Sequence, residues 1–400
     1  MSALLIAALG VPLAAFLGLA LAMWFGRVWT EGVVSGLVIG AAAISGLSGV
    51  ALAVVCLVDG PGSAVLGTWF AGFPLRLTAD WLSVPVVVLV GLLGCLIGAF
   101  SQRYLHRDPG YRRFYLLLAL FVAAVQVVVL AGTLDLLVVG WELAGLASAL
   151  LIAFFHHRPG PVAGGLRAFI TYRISDIGLI GAAVVEHHGG SHTVVGLLLV
   201  WAVLGKSAQF PLGGWLPRAM EGPTPSSAIC YGAISVSLGP YLLLRNGVDG
   251  PAVIAVGVVT ALYATLVGRA QTDIKSSLAY ASMTQIAVVL VEVGLGWDVL
   301  ALVHLIAHAL LRSGQILRSP SLLHDHHHLE QSLGGPIPGT GRHFERILPA
   351  RARTWLYRFA LERGYVDAFL VDRVVGGLVR TVNRAAVAEE RWVDRQAVTR

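Results

Sequence analysis

The sequence predicts an all-α polytopic membrane protein of about eleven transmembrane helices, and three observations carry that prediction. Hydrophobic residues make up 56% of the 400 and charged residues only 12%, with a mean hydropathy of +0.78, outside the soluble globular range. Apolar runs of near-spanning length recur at 3–25, 33–58, 81–100, 114–131, 134–155, 168–186, 193–210, 225–244, 251–269, 276–294 and 298–317. Each is close to the ~20 residues that a bilayer requires of a helix. Thirdly, the basic residues collect in alternate loops.

Taken in order, the run at 4–25 is long for a signal-peptide core, and no small-x-small cleavage site follows it. It reads as a retained helix. The loop after the third run carries Arg103, Arg107, Arg112 and Arg113; the loop after the fifth carries Arg158 and Arg167; GRAQTDIK carries Arg269 and Lys275. The opposite loops, GTLD, EHHGGSH, RNGVDG and VGLGWD, hold only Arg245. The positive-inside rule then puts the N-terminus outside and the C-terminal tail in the cytoplasm. A pI near 9.5 follows from these loops and the tail, so it does not point to nucleic acid. Cys56, Cys95 and Cys230 stand singly in apolar runs without ligand spacing and read as packing residues.

After residue 317 the composition changes, which divides the chain into a transmembrane domain at 1–317 and a basic tail at 318–400. Beyond a GGPIPGTG linker, Trp355, Leu356, Phe359, Val366, Phe369, Leu370, Val374 and Leu378 recur at three- and four-residue steps. This amphipathic pattern suits helices lying on the bilayer or on a partner; a solvated appendage is the alternative.

Ionisable groups inside the spans need a reason, because each costs about 2.5–3.5 kcal/mol on insertion scales. Glu142 lies in the fifth span, Arg173 and Asp176 in the sixth, and Lys206 near the end of the seventh. His304, His308 and Arg312 share one face of the eleventh at four-residue spacing. Singly, any of these could be a structural hydrogen-bonding group; together they form a row able to exchange protons or move an ion. Of 28 basic residues only Lys206 and Lys275 are lysine, and a buried lysine can lose its proton where arginine cannot. Lys206 opens GKSAQFPLGGWLPRAMEGPTP, where Pro211, Gly213 and Gly214 break the helix and free backbone groups that must line protein or water. Glu142 is the expected partner of Lys206, able to favour its charged form. Asp273 and Lys275 read more simply, as a capping acid and a positive-inside charge.

These segments resemble the proton-pumping antiporter-like subunits of respiratory complex I, the largest one in particular, and their relatives in multi-subunit Na+/H+ antiporters. The likeness covers roughly residues 75–333. It rests on RYLHRDPGYRRF, WELAGLASALLIAFF, AFITYRISDIGL, GKSAQFPLGGWLPRAMEGPTP, QTDIKSSLAYASMTQI and HLIAHALLRSGQILRSPSLLHDHHHLEQSLGG, six motifs in family order. The resemblance implies that Glu142 and Lys206 are the coupled pair of a first half-channel. It implies that His304 and His308 belong to a central polar axis, with Arg173 and Asp176 as supporting charges.

Departures from the family pattern sharpen the expectation. Tyr231 stands in SSAICYGA where the family has a relay histidine; it can hydrogen-bond but titrates near 10. Gly213 and Arg218 replace a polar residue and an acid, and Arg312 replaces a common lysine. Only the start of the family's second, inverted set of helices is present, which implies a shortened member with a truncated second repeat. GYVDAFLVDRVVGG in the tail resembles a late stretch of the long members.

The resemblance implies partners: other membrane subunits, or, in one short branch, a large zinc-containing cytoplasmic protein of an inorganic-carbon uptake complex. No cofactor is expected, since there is no nucleotide fingerprint and no cysteine set, and any redox site would be in another subunit. The histidines His324, His326, His327 and His328, with Asp325, fall where the family already carries paired histidines, so no metal and no catalytic residue is assigned. The rival reading is a membrane anchor that keeps the fold without conduction.

Overall fold

A computed structural model describes residues 1–68, 74–271, 273–333, 349–370, 373, 376–377 and 379–387, with side chains of 320–333 and 367 outside the description. The chain folds into α1 (Ser2–Trp24), α2 (Glu31–Asp59), a hairpin of β1 (Gly62–Thr68) and β2 (Pro74–Ala79), α3 (Ser83–Tyr104), α4 (Tyr111–Leu130), α5 (Leu134–Ile152), α6 (Pro159–His187) and α7 (His192–Lys206). After an irregular stretch come α8 (Thr224–Arg245), α9 (Pro251–Gly268), α10 (Ile274–Gly294), α11 (Asp298–Leu333) and α12 (Ala350–Leu361).

Among the described residues ten helices are long and apolar enough to span a bilayer. The eleventh apolar helix, α7, has 15 residues and measures about 22 Å at 1.5 Å per residue. It stops at Lys206 rather than near 210 because Ala208 turns to φ 53° and Pro211 has no amide to continue the ladder. By contrast α6 starts earlier than the apolar run suggests. Pro159 occupies its first turn, where a missing N–H costs nothing.

α4 and α8 form the centre, buried along almost their whole length, while α1, α2 and α9 turn Leu17, Leu21, Leu57 and Leu262 outward. Apolar side chains gain nothing by leaving lipid for protein, so helix contact depends on close backbone approach. At the α2–α3 crossing a Cβ on Gly91 would stand 2.6 Å from Gly46 N and 2.9 Å from the Ala42 carbonyl. Buried hydrogen bonds add to this: Gln126 of α4 donates to Ser45 Oγ at 2.9 Å, and Ser45 to the Ala8 carbonyl at 2.6 Å.

Among the described residues the hairpin is the one pair of strands, antiparallel from Gly62 with Ala79 to Thr68 with Pro74. Arg245, the last residue of α8, pins it by pairing with Asp80 and Thr78 and by donating to the Ala131 carbonyl at 3.2 Å. Burial alone would raise the Asp80 carboxyl, but bonds from Ser83 and the charge of Arg245 outweigh that and hold it below its ordinary value. Asp273 caps α10 as read from the sequence, accepting from the Ser276 amide at 2.7 Å.

α11 runs 36 residues, about 54 Å, so it continues past residue 317 and is longer than the ~30 Å hydrocarbon core. The tail returns to the helical body where Tyr263 of α9 donates to the Arg363 carbonyl at 2.9 Å. The GGPIPGTG linker, the histidine side chains at 324 and 326–328, and Val374 and Leu378 lie outside the described residues.

Candidate functional site

Lys206 is wholly buried at the C-terminal end of α7. Its Nζ donates to the Trp141 carbonyl of α5 at 2.8 Å and lies 4.7 Å and 4.8 Å from the centres of the Trp141 and Tyr172 rings. Two aromatic faces stabilise a desolvated ammonium. Gly145 makes the room: a Cβ there would come within 3.0 Å of Nζ.

The break beyond Lys206 is paid for inside the protein. The Gly205 carbonyl accepts from Trp215 Nε1 at 2.8 Å, Gly214 from Arg218 Nη1 at 2.9 Å, and the Phe210 amide reaches Thr260 Oγ1 at 3.0 Å. Non-helical backbone at membrane depth is tolerated only when satisfied in this way. Pro211 precedes two tight turns, Leu212–Trp215, which contains Gly213 and Gly214, and Pro217–Glu221.

The carboxylates sit differently from the sequence expectation. Glu142 pairs with Arg173 of α6 rather than with Lys206. Arg173 also binds Asp176 at 2.7 Å, and Asp176 accepts from the Trp141 indole at 2.6 Å. Neighbouring residues on a helix point about 100° apart, so Glu142 faces α6 while the Trp141 carbonyl and indole link α7 to Asp176. The result is a series of contacts across three helices, Glu142, Arg173, Asp176, Trp141 and Lys206, in which Trp141 meets Asp176 with its indole and Lys206 with its backbone carbonyl. Ionised, its two acids and two bases cancel, which is how charges persist in an apolar interior. Glu142 Oε1 is buried without a partner, leaving an acceptor in hand.

Tyr231 lies in a π-helical stretch of α8, Ser227–Ile234, and its hydroxyl donates to the Ser148 carbonyl. Trp215 separates it from the lysine box, with ring centres 6.0 Å from Tyr231 and 4.9 Å from Tyr172. Such wide turns often occur at functional sites.

On α11 the row of three divides. Arg312 and Ser313 face the π-helical stretch: Ser313 Oγ donates to the Ala228 carbonyl at 3.2 Å, and Arg312 Nη1 reaches Gln315 at 2.8 Å. His308 is buried, its Nε2 without a partner. His304 turns to α10, with Nδ1 2.9 Å from Glu292 Oε1 and Nε2 2.9 Å from Gln285 Oε1. The structure therefore joins Glu142, Arg173, Asp176 and Lys206 in one network, and sets His304 in a second cluster.

Sequence reasoning missed Trp141, Tyr172, Gln285 and Glu292. Of these only Glu292, an acid in the apolar run VVLVEVG, carried a signal.

Fold and site together define a polytopic membrane protein built around a chain of ionisable side chains that ends at the buried Asp176 and Lys206, beside a broken helix. The chain belongs to the NADH:quinone oxidoreductase/Mrp antiporter transmembrane family, whose description it matches over residues 131–333, and residues 70–115 match the N-terminus of chain 5 of NADH-ubiquinone oxidoreductase (complex I). It is 36% identical over 291 residues to NADH-quinone oxidoreductase subunit L of Mycobacterium tuberculosis strain H37Rv, covering 65% of this chain and 46% of the relative. Subunit L of Escherichia coli K12 is 34% identical over 358 residues, 81% of this chain and 58% of the relative. The chain thus spans about half the length of these relatives. Among solved structures, the Mrp complex of Dietzia sp. DQ12-45-1b contains a chain that is 28% identical with a TM-score of 0.65, covering 79% of this chain and 36% of that one.

Proposed function

We propose that this chain is a proton-translocating membrane subunit of a complex I-like or Mrp-like assembly, in which proton movement is coupled to work done by partner subunits. The observation that supports the reading is the series from Glu142 to Lys206, an ion-paired trio joined through Trp141 to a buried amine beside broken backbone. Lys206 is the proton-loading group and Arg173 the switch between carboxylates. When Arg173 swings toward Asp176, Glu142 is left free to take a proton. When it returns, Asp176 is freed to hold charge on Lys206 through Trp141. His308 and His304 carry the proton onward, with Tyr231 and Arg312 supporting; Tyr231 orders the path through Ser148 and does not itself carry charge.

The arginine-bearing loops support an orientation with Met1 outside and the tail in the cytoplasm of a bacterial inner membrane, with residues 1–317 as the membrane unit and 318–400 as the docking tail. Partners are other membrane subunits or a large cytoplasmic protein, including the zinc protein of an inorganic-carbon uptake complex.

Two observations favour a non-conducting anchor: both carboxylates are held by Arg173, and Tyr231 is locked on a backbone carbonyl. Proton flux in inverted membrane vesicles from the source cells separates the two. Lys206→Ala and Glu142→Gln are expected to lower flux by about a hundredfold while the complex still assembles. Undiminished flux in both variants would establish the anchor.

A further inference from the structure

Near the end of α10, Glu292 sits in an otherwise apolar turn, its side chain 12% exposed, two residues before the helix ends at Gly294. An acid at that depth needs a reason. The α10–α11 turn is tight: the Trp297 amide bonds back to the Glu292 carbonyl at 2.9 Å, and α11 starts at Asp298. This folds His304 directly against Glu292. Both carboxylate oxygens address one nitrogen, Nδ1, at 2.9 Å and 3.1 Å. The other, Nε2, meets Gln285 Oε1 at 2.9 Å. Gln285 is two turns deeper than Glu292 on the same face of α10, so the three side chains run in a line from the turn into the helical body.

We propose that Glu292 is a further proton-binding site, the group that exchanges protons between His304 and the aqueous face at the α10–α11 turn. This rests on the reading of the chain as a proton-translocating subunit. The chemistry is balanced by two partners. With the Gln285 oxygen facing Nε2, a doubly protonated imidazole is satisfied at both nitrogens. With the amide turned over, its NH2 donates to Nε2 and the neutral ring is satisfied as well. In the transfer, the proton leaves His304 Nδ1 for a Glu292 oxygen, giving a neutral imidazole and a carboxylic acid. The acid then releases that proton to water at the turn and the carboxylate is restored. Asp298 heads α11 one and a half turns before His304 and keeps the turn electronegative; His308 follows one turn beyond and supplies the proton from the interior.

The test combines proton flux in inverted vesicles from the source cells with 15N-histidine NMR of the purified full chain in lipid nanodiscs. Glu292→Gln preserves size and a hydrogen-bond acceptor, and is expected to assemble, to lower flux about a hundredfold, and to reduce the doubly protonated fraction of His304. Glu292→Asp is expected to restore most of both. If Lys206→Ala abolishes flux but Glu292→Gln leaves flux and the His304 signature unchanged, the role of Glu292 is overturned alone. A flux loss in Glu292→Gln with an unaltered His304 signature marks a structural residue and also overturns it. Full flux in Lys206→Ala overturns the underlying reading, and this inference with it.

Discussion

Lys206 and Gly145 illustrate what a residue contributes here. The ammonium is held by one carbonyl and two ring faces, with the space supplied by a missing side chain on α5. Lys206→Arg keeps a cation in the box but cannot give up its proton. It is expected to assemble normally and to lower vesicle proton flux about as far as Lys206→Ala, by roughly a hundredfold; flux near that of the unaltered chain would show that charge alone suffices. Gly145→Ala presses a methyl against Nζ and the Tyr172 ring. Because a lysine tip yields easily, the variant should fold, with a flux reduction of roughly tenfold from displaced geometry. The pairing of Glu142 with Arg173 was not legible in the sequence. Adjacent positions on α5 face different helices, and only the rotation of α5 against α6 and α7 selects which carboxylate meets which cation.

For helices, the informative contrast lies between those whose limits are set locally and those set by packing. The end of α7 was legible only to within a few residues: Pro211 stops any helix, but the left-handed turn at Ala208 that ends it at Lys206 is seen only in the structure. The start of α6 was not, since Pro159, Gly160 and Pro161 look like a loop until a helix is seen to accept proline in its first turn. Nor was the hairpin, whose short strands lack a strong two-residue alternation and are held by Arg245 from a distant helix. Packing of α2 on α3 makes a sharp prediction. Gly91→Ala puts a methyl against the backbone of Gly46 and Ala42, which cannot rotate away, and should cost about 1–3 kcal/mol. A control, Gly40→Ala, meets nothing within 4 Å and should be neutral. Thermal unfolding of the two in detergent would check the difference; equal melting temperatures would refute the close approach.

For the molecule as a whole, the face bearing the hairpin and the α4–α5 turn is closed by Asp80 and Arg245. The Asp80 carboxyl is held below its ordinary value, so this contribution is complete above the unfolded carboxylate pKa of about 3.9 and fades as pH falls through the lower folded value. Hydrogen exchange in residues 74–80 should therefore quicken in acid, and Asp80→Asn should remove that dependence. Exchange that stays pH-independent in the unaltered chain, after correction for the intrinsic rate, would contradict it. The partner setting is also a whole-molecule property. Purification of the tagged chain in mild detergent should bring other membrane subunits, or one large zinc protein if the carbon-uptake setting is correct; a chain that elutes alone under all mild conditions would count against both.

The amino-acid sequence by itself determined the class of the protein, the apolar helices in their order, the break after Lys206 and the identity of the charges in the interior. Those properties depend on local hydrophobicity, on proline and glycine, and on the cost of an ion in lipid, all of which act over one turn or one span. Tertiary structure alone decided which of those charges touch. Glu142 met Arg173, Asp176 reached Lys206 through Trp141, and Glu292 met His304, because each pairing depends on how two helices are rotated about their axes. That rotation is set by close-packed small residues and buried hydrogen bonds between helices, contacts that no periodicity within a single helix specifies.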